Sequence, residues 1–347
     1  MINWGVIGAG GIAYRRTIPE GITKSKNSKL VAITDINLDF ARKISCEYEV
    51  KLYNNEEDLI NDKTIDAVYI ATPVFLHHRQ CILAAKKGKH IFCEKIMALN
   101  EKQCNEMIDV CKSHNVKLAI AYMMRFNSIH KKIREMVKNG VLGKIVLGRA
   151  QLSCWYPPIE DAWRQKKDLG GGGSLADMGS HCMDLLEFIF DSKIKEVSCF
   201  TGNFVHDYQT EDTSIVTCKF EKEAFGIIDS CFNIPDYSSK NMLEIYGSKG
   251  SILCRGTIGQ DSNGLVEVFI EKKEAAYNAG QKRLNPDKTT NLEVKPINIY
   301  QAEIEYFADC IEKNIEPEIS GELGLHHIKI IEACYKSAKE QKIIKIN

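Results

Sequence analysis

The run Trp4-Gly5-Val6-Ile7, continued by Gly8-x-Gly10-x-x-Ala13, constrains this chain more than any other stretch. An apolar strand must pass through a tight turn into a helix. Gly8 permits the turn, Gly10 leaves no side chain where a pyrophosphate would lie, and Ala13, standing for a third glycine, lets the helix pack close to the strand. The N–H groups of Gly11, Ile12 and Ala13 at the helix start then face phosphate. Glycine turns are common, but the setting narrows this one. Residues 29–34 form a second strand, and Asp35 closes it 22 residues after Ala13, where a ribose-binding acid belongs. The stretch predicts a dinucleotide site. It predicts NAD in preference to NADP, because a carboxylate accepts from free ribose hydroxyls and repels a 2′-phosphate.

With 347 residues the chain is long enough for two domains with their own cores. Forty-six basic residues balance forty-six acidic ones, so no global field favours nucleic acid or an anionic membrane, and a small-molecule partner is expected. The N-terminus enters a strand without a basic leader, and no apolar run reaches bilayer length. A soluble, cytoplasmic protein is the expectation. The thirteen cysteines show neither Cys-x-x-Cys pairs nor zinc spacing, and are read as small buried hydrophobes in a reducing compartment.

Strand and helix patterns alternate through residues 1–123, including the all-apolar strand Ala67-Val68-Tyr69-Ile70-Ala71, which suits a parallel strand covered on both faces. This predicts an α/β Rossmann domain with a doubly wound parallel sheet. Asp35, Thr72 and Lys95 all fall at carboxyl ends of strands, where such sheets bind ligands. Over residues 124–347 the pattern changes to consecutive strands with short turns, closed by two helices, and predicts an α+β domain with an antiparallel sheet. Residues 156–173 hold two prolines, Trp163-Arg164 and four successive glycines, a loop expected to move or to approach something closely. Residues 261–264 and 280–291 read as polar loops.

Three groups stand out chemically. Lys95 follows a buried strand at the expected cofactor edge with Glu94 before it, although a surface Lys-Glu pair would look the same. Asp177 and His181 are four apart on one helix and share a face, as general acid-base chemistry requires. The bland alternative is a capping box, Ser174-x-x-Asp177, in which Asp177 merely closes the helix. Asp184 would extend that face, but no further ligand cluster supports a metal, and none is expected.

Together, Gly8-x-Gly10-x-x-Ala13, Asp35, Thr72-Pro73 with His77, Glu94-Lys95, Tyr122-x-x-Arg125-Phe126 and Gly171-Gly172-Gly173-x-Leu175-x-Asp177-x-Gly179-x-His181-x-x-Asp184 strongly resemble the Gfo/Idh/MocA oxidoreductase family. The likeness extends to Glu244-Ile245-Tyr246-Gly247-Ser248-Lys249-Gly250 and Tyr335-Lys336-Ser337-Ala338. The resemblance implies a second domain with a large, open, mainly antiparallel sheet that often makes oligomer contacts, hence a homodimer or homotetramer. It implies that Lys95, Asp177 and His181 surround a nicotinamide, that Thr72, Pro73, His77, Glu94, Trp163 and Arg164 border the cofactor, and that Arg125 reaches substrate. The implied reaction is hydride transfer between NAD(P) and a secondary alcohol or carbonyl of a sugar, polyol or related hydroxylated ring. Two departures from the family pattern are Ile96, where a proline usually follows the lysine, and Val74, where an asparagine often lies near the cofactor. Two rivals share the fold: relatives that use bound NAD transiently during glycoside cleavage, and a non-catalytic dinucleotide-binding sensor. The latter predicts loss of the catalytic set, whereas Lys95, Asp177 and His181 are all present.

Overall fold

Strand β1 (Ile2–Ile7) is buried along nearly its whole length, because parallel neighbours flank it and helices cover both faces. The computed structural model describes residues 1–271, 279–280 and 289–346. Strands β2 (Ser28–Thr34), β3 (Lys51–Leu52), β4 (Ala67–Ile70), β5 (His90–Cys93) and β6 (Leu118–Ile120) complete a parallel sheet in the order β3-β2-β1-β4-β5-β6. This is the doubly wound order, and its winding reverses between β1 and β4. Asparagines start three of the covering helices: Asn37 accepts from the N–H of Phe40, Asn55 from that of Asp58 and Asn100 from that of Gln103.

The chain forms two compact units, one of Met1–Phe126, Asp161–Gly172 and Asn298–Lys329, the other of Asn127–Glu160, Gly173–Ile297 and Ile330–Asn347. A single cut after residue 123 therefore does not separate them. The first boundary lies close to that point, but the chain returns twice to the first unit. Long-range packing explains the returns. Phe307 from helix Ile299–Glu312 lies 5.5 Å from Phe92 and 6.0 Å from Trp4, and Gly21 approaches Tyr300 so closely that a Cβ would stand 3.1 Å from its carbonyl oxygen. No local periodicity announces such contacts.

Among the described residues the second unit has nine strands: β7 (Ile145–Ser153), β8 (Ile194–Gly202), β9 (Thr213–Phe220), β10 (Phe225–Cys231), β11 (Met242–Gly247), β12 (Gly250–Arg255), β13 (Leu265–Ile270), β14 (Thr289–Asn291) and β15 (Ile344–Lys345). Their order is β14-β13-β12-β11-β7-β10-β9-β8-β15, antiparallel throughout except for β7 beside β10. One face is buried through Ala150, Val216, Ile228, Leu243 and Ile252. Helix Ser180–Phe190 covers it, with Phe190 4.9 Å from Phe220 and its ring so near Gly148 that a Cβ there would stand 2.7 Å from it. Of the polar loop expected at 280–291, residues 289–291 form β14 and residues 281–288 lie outside the described residues.

All cysteines but Cys46 and Cys154 are buried, and all thirteen are free thiols. Among the described residues no helix is long and apolar enough to cross a membrane. No group of three or more His, Cys, Asp or Glu among them is placed to hold a metal ion.

Candidate active site

The glycine turn is wedged between two strand ends. The N–H groups of Gly8 and Ala9 donate to the carbonyl of Thr34 at 2.9 and 3.2 Å. Gly8 has φ +82°, and a Cβ there would come within 2.9 Å of Thr72 Cγ2 and 3.0 Å of the Ala71 backbone. Glycine is thus required twice over, by conformation and by space. At Gly10 a Cβ would stand 3.3 Å from Asp35 Oδ2, and Gly11, at φ +54°, faces open space. From Ala13 the chain winds as a wide, π-type helix to Gly21. A backbone stripped of side chains at the β1–β4 reversal, opening a helix, fits a dinucleotide pyrophosphate.

Asp35 braces this turn. Its Oδ2 accepts from the N–H of Gly10 at 2.9 Å and its Oδ1 from that of Asn37 at 2.9 Å. Each oxygen retains a lone pair for a ribose hydroxyl. Ile36 beside it is fully exposed, and Arg42 is engaged by Asp39 at 2.9 Å.

The end of β4 is fixed by a polar chain in which Thr72 Oγ1 donates to Gln80 at 2.6 Å and Gln80 donates to Glu56 at 2.8 Å. Pro73 precedes the helix Val74–Lys86, and Val74 is buried at its start. His77 is 1% exposed, with Nε2 2.9 Å from the Thr72 carbonyl and Nδ1 3.1 Å from that of Ile96. Burial holds its pKa below the ordinary imidazole value, against the carbonyls of Thr72, Ile96 and Met97 that favour the charged ring. His77 is therefore a clasp behind the site, joining the ends of two strands, rather than a group reaching outward.

Lys95 is half-buried at the end of β5, and the Lys95–Ile96 peptide is cis, although Ile96 stands where the family has proline. Glu94 is no surface partner. Tyr69 donates to its Oε1 at 2.5 Å, and Tyr69 in turn lies 3.1 Å from Thr17 Oγ1. Burial raises the Glu94 pKa, opposed by the Tyr69 hydroxyl, Lys95 and Arg164. A second buried carboxyl, Glu303, lies near enough for Glu94 to raise its pKa further, after burial itself. Tyr69, Thr17 and Glu303 went unnoticed in the sequence, because a tyrosine inside an apolar strand looks like core. Arg125 lies half-buried in a single helical turn, Met123–Phe126, after β6.

Residues 156–173 are not a bare loop. Short helical turns, Trp163–Gln165 and Lys167–Gly170, occupy it, and the stretch from Asp161 belongs to the first unit. The Arg164 guanidinium lies over the Trp163 ring at 4.1 Å, and its charge opposes protonation of His77 and of Glu94. Gly171 packs toward Ile96 and Leu99, the segment just after Lys95.

In the second unit Asp177 lies in a wide π-type turn, Leu175–Gly179, and His181 lies on the helix Ser180–Phe190 into which that turn runs. Such turns recur at functional sites. Asp177 is partly exposed, His181 is 7% exposed and Asp184 is fully buried. The capping-box alternative does not describe this helix: the Ser174 side chain makes no capping bond. Glu211, absent from the sequence reading, caps it instead. Its carboxylate accepts from the N–H of Gly173 at 3.0 and 3.1 Å and of Leu175 at 2.9 Å, and its carbonyl from the N–H of Ser174 at 3.0 Å. Tyr335 adds its hydroxyl at 2.9 Å.

The chain matches known proteins along most of its length. Residues 2–122 match an oxidoreductase family described by its NAD-binding Rossmann fold, and residues 130–253 match the GFO/IDH/MocA C-terminal domain. A myo-inositol 2-dehydrogenase from Thermotoga maritima is 28% identical, covering 99% of this chain and 98% of its own. A 2,7-anhydro-N-acetylneuraminate hydratase from Mediterraneibacter gnavus is 24% identical over 100% of this chain and 97% of its own. The structure of a levoglucosan dehydrogenase in complex with NADH and levoglucosan superimposes with a TM-score of 0.85 at 20% identity, covering 99% of both chains, and shares the fold. A glycine turn braced by Asp35 in a doubly wound sheet, followed by an open antiparallel sheet, and matched along both parts of the chain, makes this protein a member of the Gfo/Idh/MocA family of NAD-binding oxidoreductases.

Proposed function

We propose that the protein transfers hydride between NAD and a secondary alcohol or carbonyl of a sugar, polyol or related hydroxylated ring. The observation that carries this reading is the Asp35-braced glycine turn in a chain that also keeps Lys95, Asp177 and His181. Relatives named for inositol and levoglucosan support the substrate class. Bound NAD supplies the hydride acceptor. His181 takes the hydroxyl proton as the carbon gives up hydride, and returns it in the reverse direction, since an imidazole can both accept and donate a proton. Asp177, one turn earlier, orients that ring or the substrate. Lys95 sets an ammonium beside the developing alkoxide and lowers the cost of deprotonation. The test is a panel of sugars, inositols and diols with NAD and NADP, followed by nicotinamide absorbance. Failure of every member to exchange hydride in either direction would count against the reading.

One relative is named as a hydratase, which supports a second reading: transient oxidation with no net redox change. Stoichiometric NADH release separates the two. Net release supports the dehydrogenase, and product formation without release supports its rival.

Asp35 sets the cofactor preference. Its charge faces the ribose edge, with Ile36 exposed beside it and Arg42 occupied by Asp39. Asp35→Ser is expected to narrow the NAD-over-NADP ratio by about tenfold, the scale of one charge-assisted hydrogen bond. Equal or tighter NADP binding by the unaltered protein, measured by fluorescence titration, would show that the carboxylate does not govern the ribose.

A homo-oligomer assembled through the second sheet completes the proposal. On the face opposite helix Ser180–Phe190, Phe200 pairs across strands with Ile215, and Phe225 with Leu147. Phe200, Ile215 and Phe225 are 73%, 47% and 59% exposed. Large exposed apolar side chains on one sheet face suit burial against a second copy. Light scattering at micromolar concentration is expected to give a dimer or tetramer, and a clean 39.2 kDa species would contradict it.

A further inference from the structure

Three successive N–H groups at the start of the helix that carries Asp177 and His181 are all satisfied by one residue distant in sequence. Gly173 and Leu175 donate to the Glu211 side chain, and Ser174 donates to the Glu211 carbonyl. Helix starts leave four such donors without intrahelical partners, and a nearby side chain of the helix itself usually takes one of them. Here the local candidate, Ser174, makes no capping bond with its side chain.

The cap is itself anchored. Glu211 directly precedes Asp212 and strand β9, the Asp212 carbonyl accepts from the N–H of Phe232 at 2.7 Å, and the Asp212 N–H donates to Gly202 at 3.2 Å. The Asp212 carboxylate gathers the N–H groups of Phe204, Val205 and His206 at 2.8 to 3.1 Å. Tyr335 Oη donates to Glu211 from the other side at 2.9 Å. Every side-chain partner of Glu211 named here is a donor, so the ionised carboxylate is the form that fits, although burial raises its pKa above the ordinary value. Gly173 approaches so closely that a Cβ would lie 2.0 Å from the Glu211 carbonyl oxygen. The wide turn Leu175–Gly179 then has a fixed origin.

We infer that Glu211 is a positioning residue for the reaction: by holding the N–H groups of Gly173, Ser174 and Leu175, it fixes the rotation and height of the turn that carries Asp177 and leads directly into the helix of His181. The inference rests on the proposed roles of those two residues. It is tested with Glu211→Ala, which removes the side-chain acceptors, and Glu211→Gln, which is isosteric and keeps one oxygen for the Leu175 N–H.

Two measurements are needed. One is amide hydrogen exchange across 173–181, which needs no substrate. The other is steady-state kinetics on the panel member that the wild-type protein turns over fastest, with NAD affinity followed in parallel. In Glu211→Ala, exchange is expected to accelerate across this segment, and kcat to fall by about 10²-fold, the scale of an ångström of misplacement, with little change in NAD affinity. Glu211→Gln, which loses one of the two acceptor oxygens, is expected to recover only part of both. A role in global stability alone would lower the unfolding midpoint without this split between kcat and cofactor affinity.

Unchanged exchange would overturn the inference and leave the proposed function standing. Accelerated exchange with wild-type turnover would overturn both the positioning role and the chemistry assigned to Asp177 and His181. Should Glu211→Ala fail to fold, Glu211→Gln decides alone: partial acceleration with a partial loss of kcat supports the inference, and no change in either overturns it.

Discussion

Replacing His181 by Ala is expected to lower turnover about 10²–10⁴-fold, the usual contribution of a general acid-base, while NAD affinity stays nearly constant. His181 sits on an element quite separate from the glycine turn, so the imidazole can be removed without disturbing the phosphate cradle. Lys95→Ala is expected to damage turnover comparably. Lys95 lies just past the end of β5 with Glu94 held by Tyr69 behind it, so truncating the lysine leaves that part-buried hydrogen bond in place. If ammonium and imidazole act as a unit on one proton, the losses should not add, and the double variant should resemble the weaker single one. The measurement is kcat for all three variants with cofactor binding checked by titration. Near-normal turnover in both single variants would move the chemistry elsewhere.

The candidate residues drew notice because each stands beside a local signal: Asp35 ends a strand, Lys95 follows another, and Asp177 and His181 are four apart. Apolar strands marked the doubly wound sheet for the same reason. The roles proposed for those residues come from the family resemblance, not from spacing. What surrounds the residues was not legible. Tyr69 looked like core, and only the fold sets its hydroxyl against Glu94. Glu211 lies in the polar run Gln209-Thr210-Glu211-Asp212, which has the composition of a loop, and its partners are 36 and 38 residues away. The returns of 161–172 and 298–329 to the first unit depend on packing such as Phe307 against Phe92. Local patterns record which face of an element is apolar, but not which distant element covers it.

The four glycines at 170–173 show the same divide, and they yield the prediction with the largest effect on stability. As a sequence they announce only that something comes close or turns sharply. The structure separates their reasons. Gly171 and Gly172 have φ of +74° and +153°, so conformation requires glycine there. Gly170 instead lies against Arg164, where a Cβ would stand 3.1 Å from its Cα. At Gly173 the obstacle is severe, since a Cβ would meet the carbonyl oxygen, nitrogen and carbonyl carbon of Glu211 at 2.0, 2.9 and 3.0 Å. All three are backbone atoms, so no rotamer change relieves the overlap; either the helix start or the entry to β9 must move. Gly173→Ala is therefore expected to cost about 3 kcal/mol or more, beyond ordinary overpacking. Gly256 provides the control. It has φ +69° but nothing within 4 Å of the added atom, so Gly256→Ala meets only the left-handed backbone penalty of about 1–2 kcal/mol. Urea unfolding of the two variants beside the wild type measures both. A Gly173→Ala midpoint no lower than that of Gly256→Ala would mean that Glu211 does not press on the helix start. The close approach through which it holds the turn of Asp177 and His181 would then be lost as well.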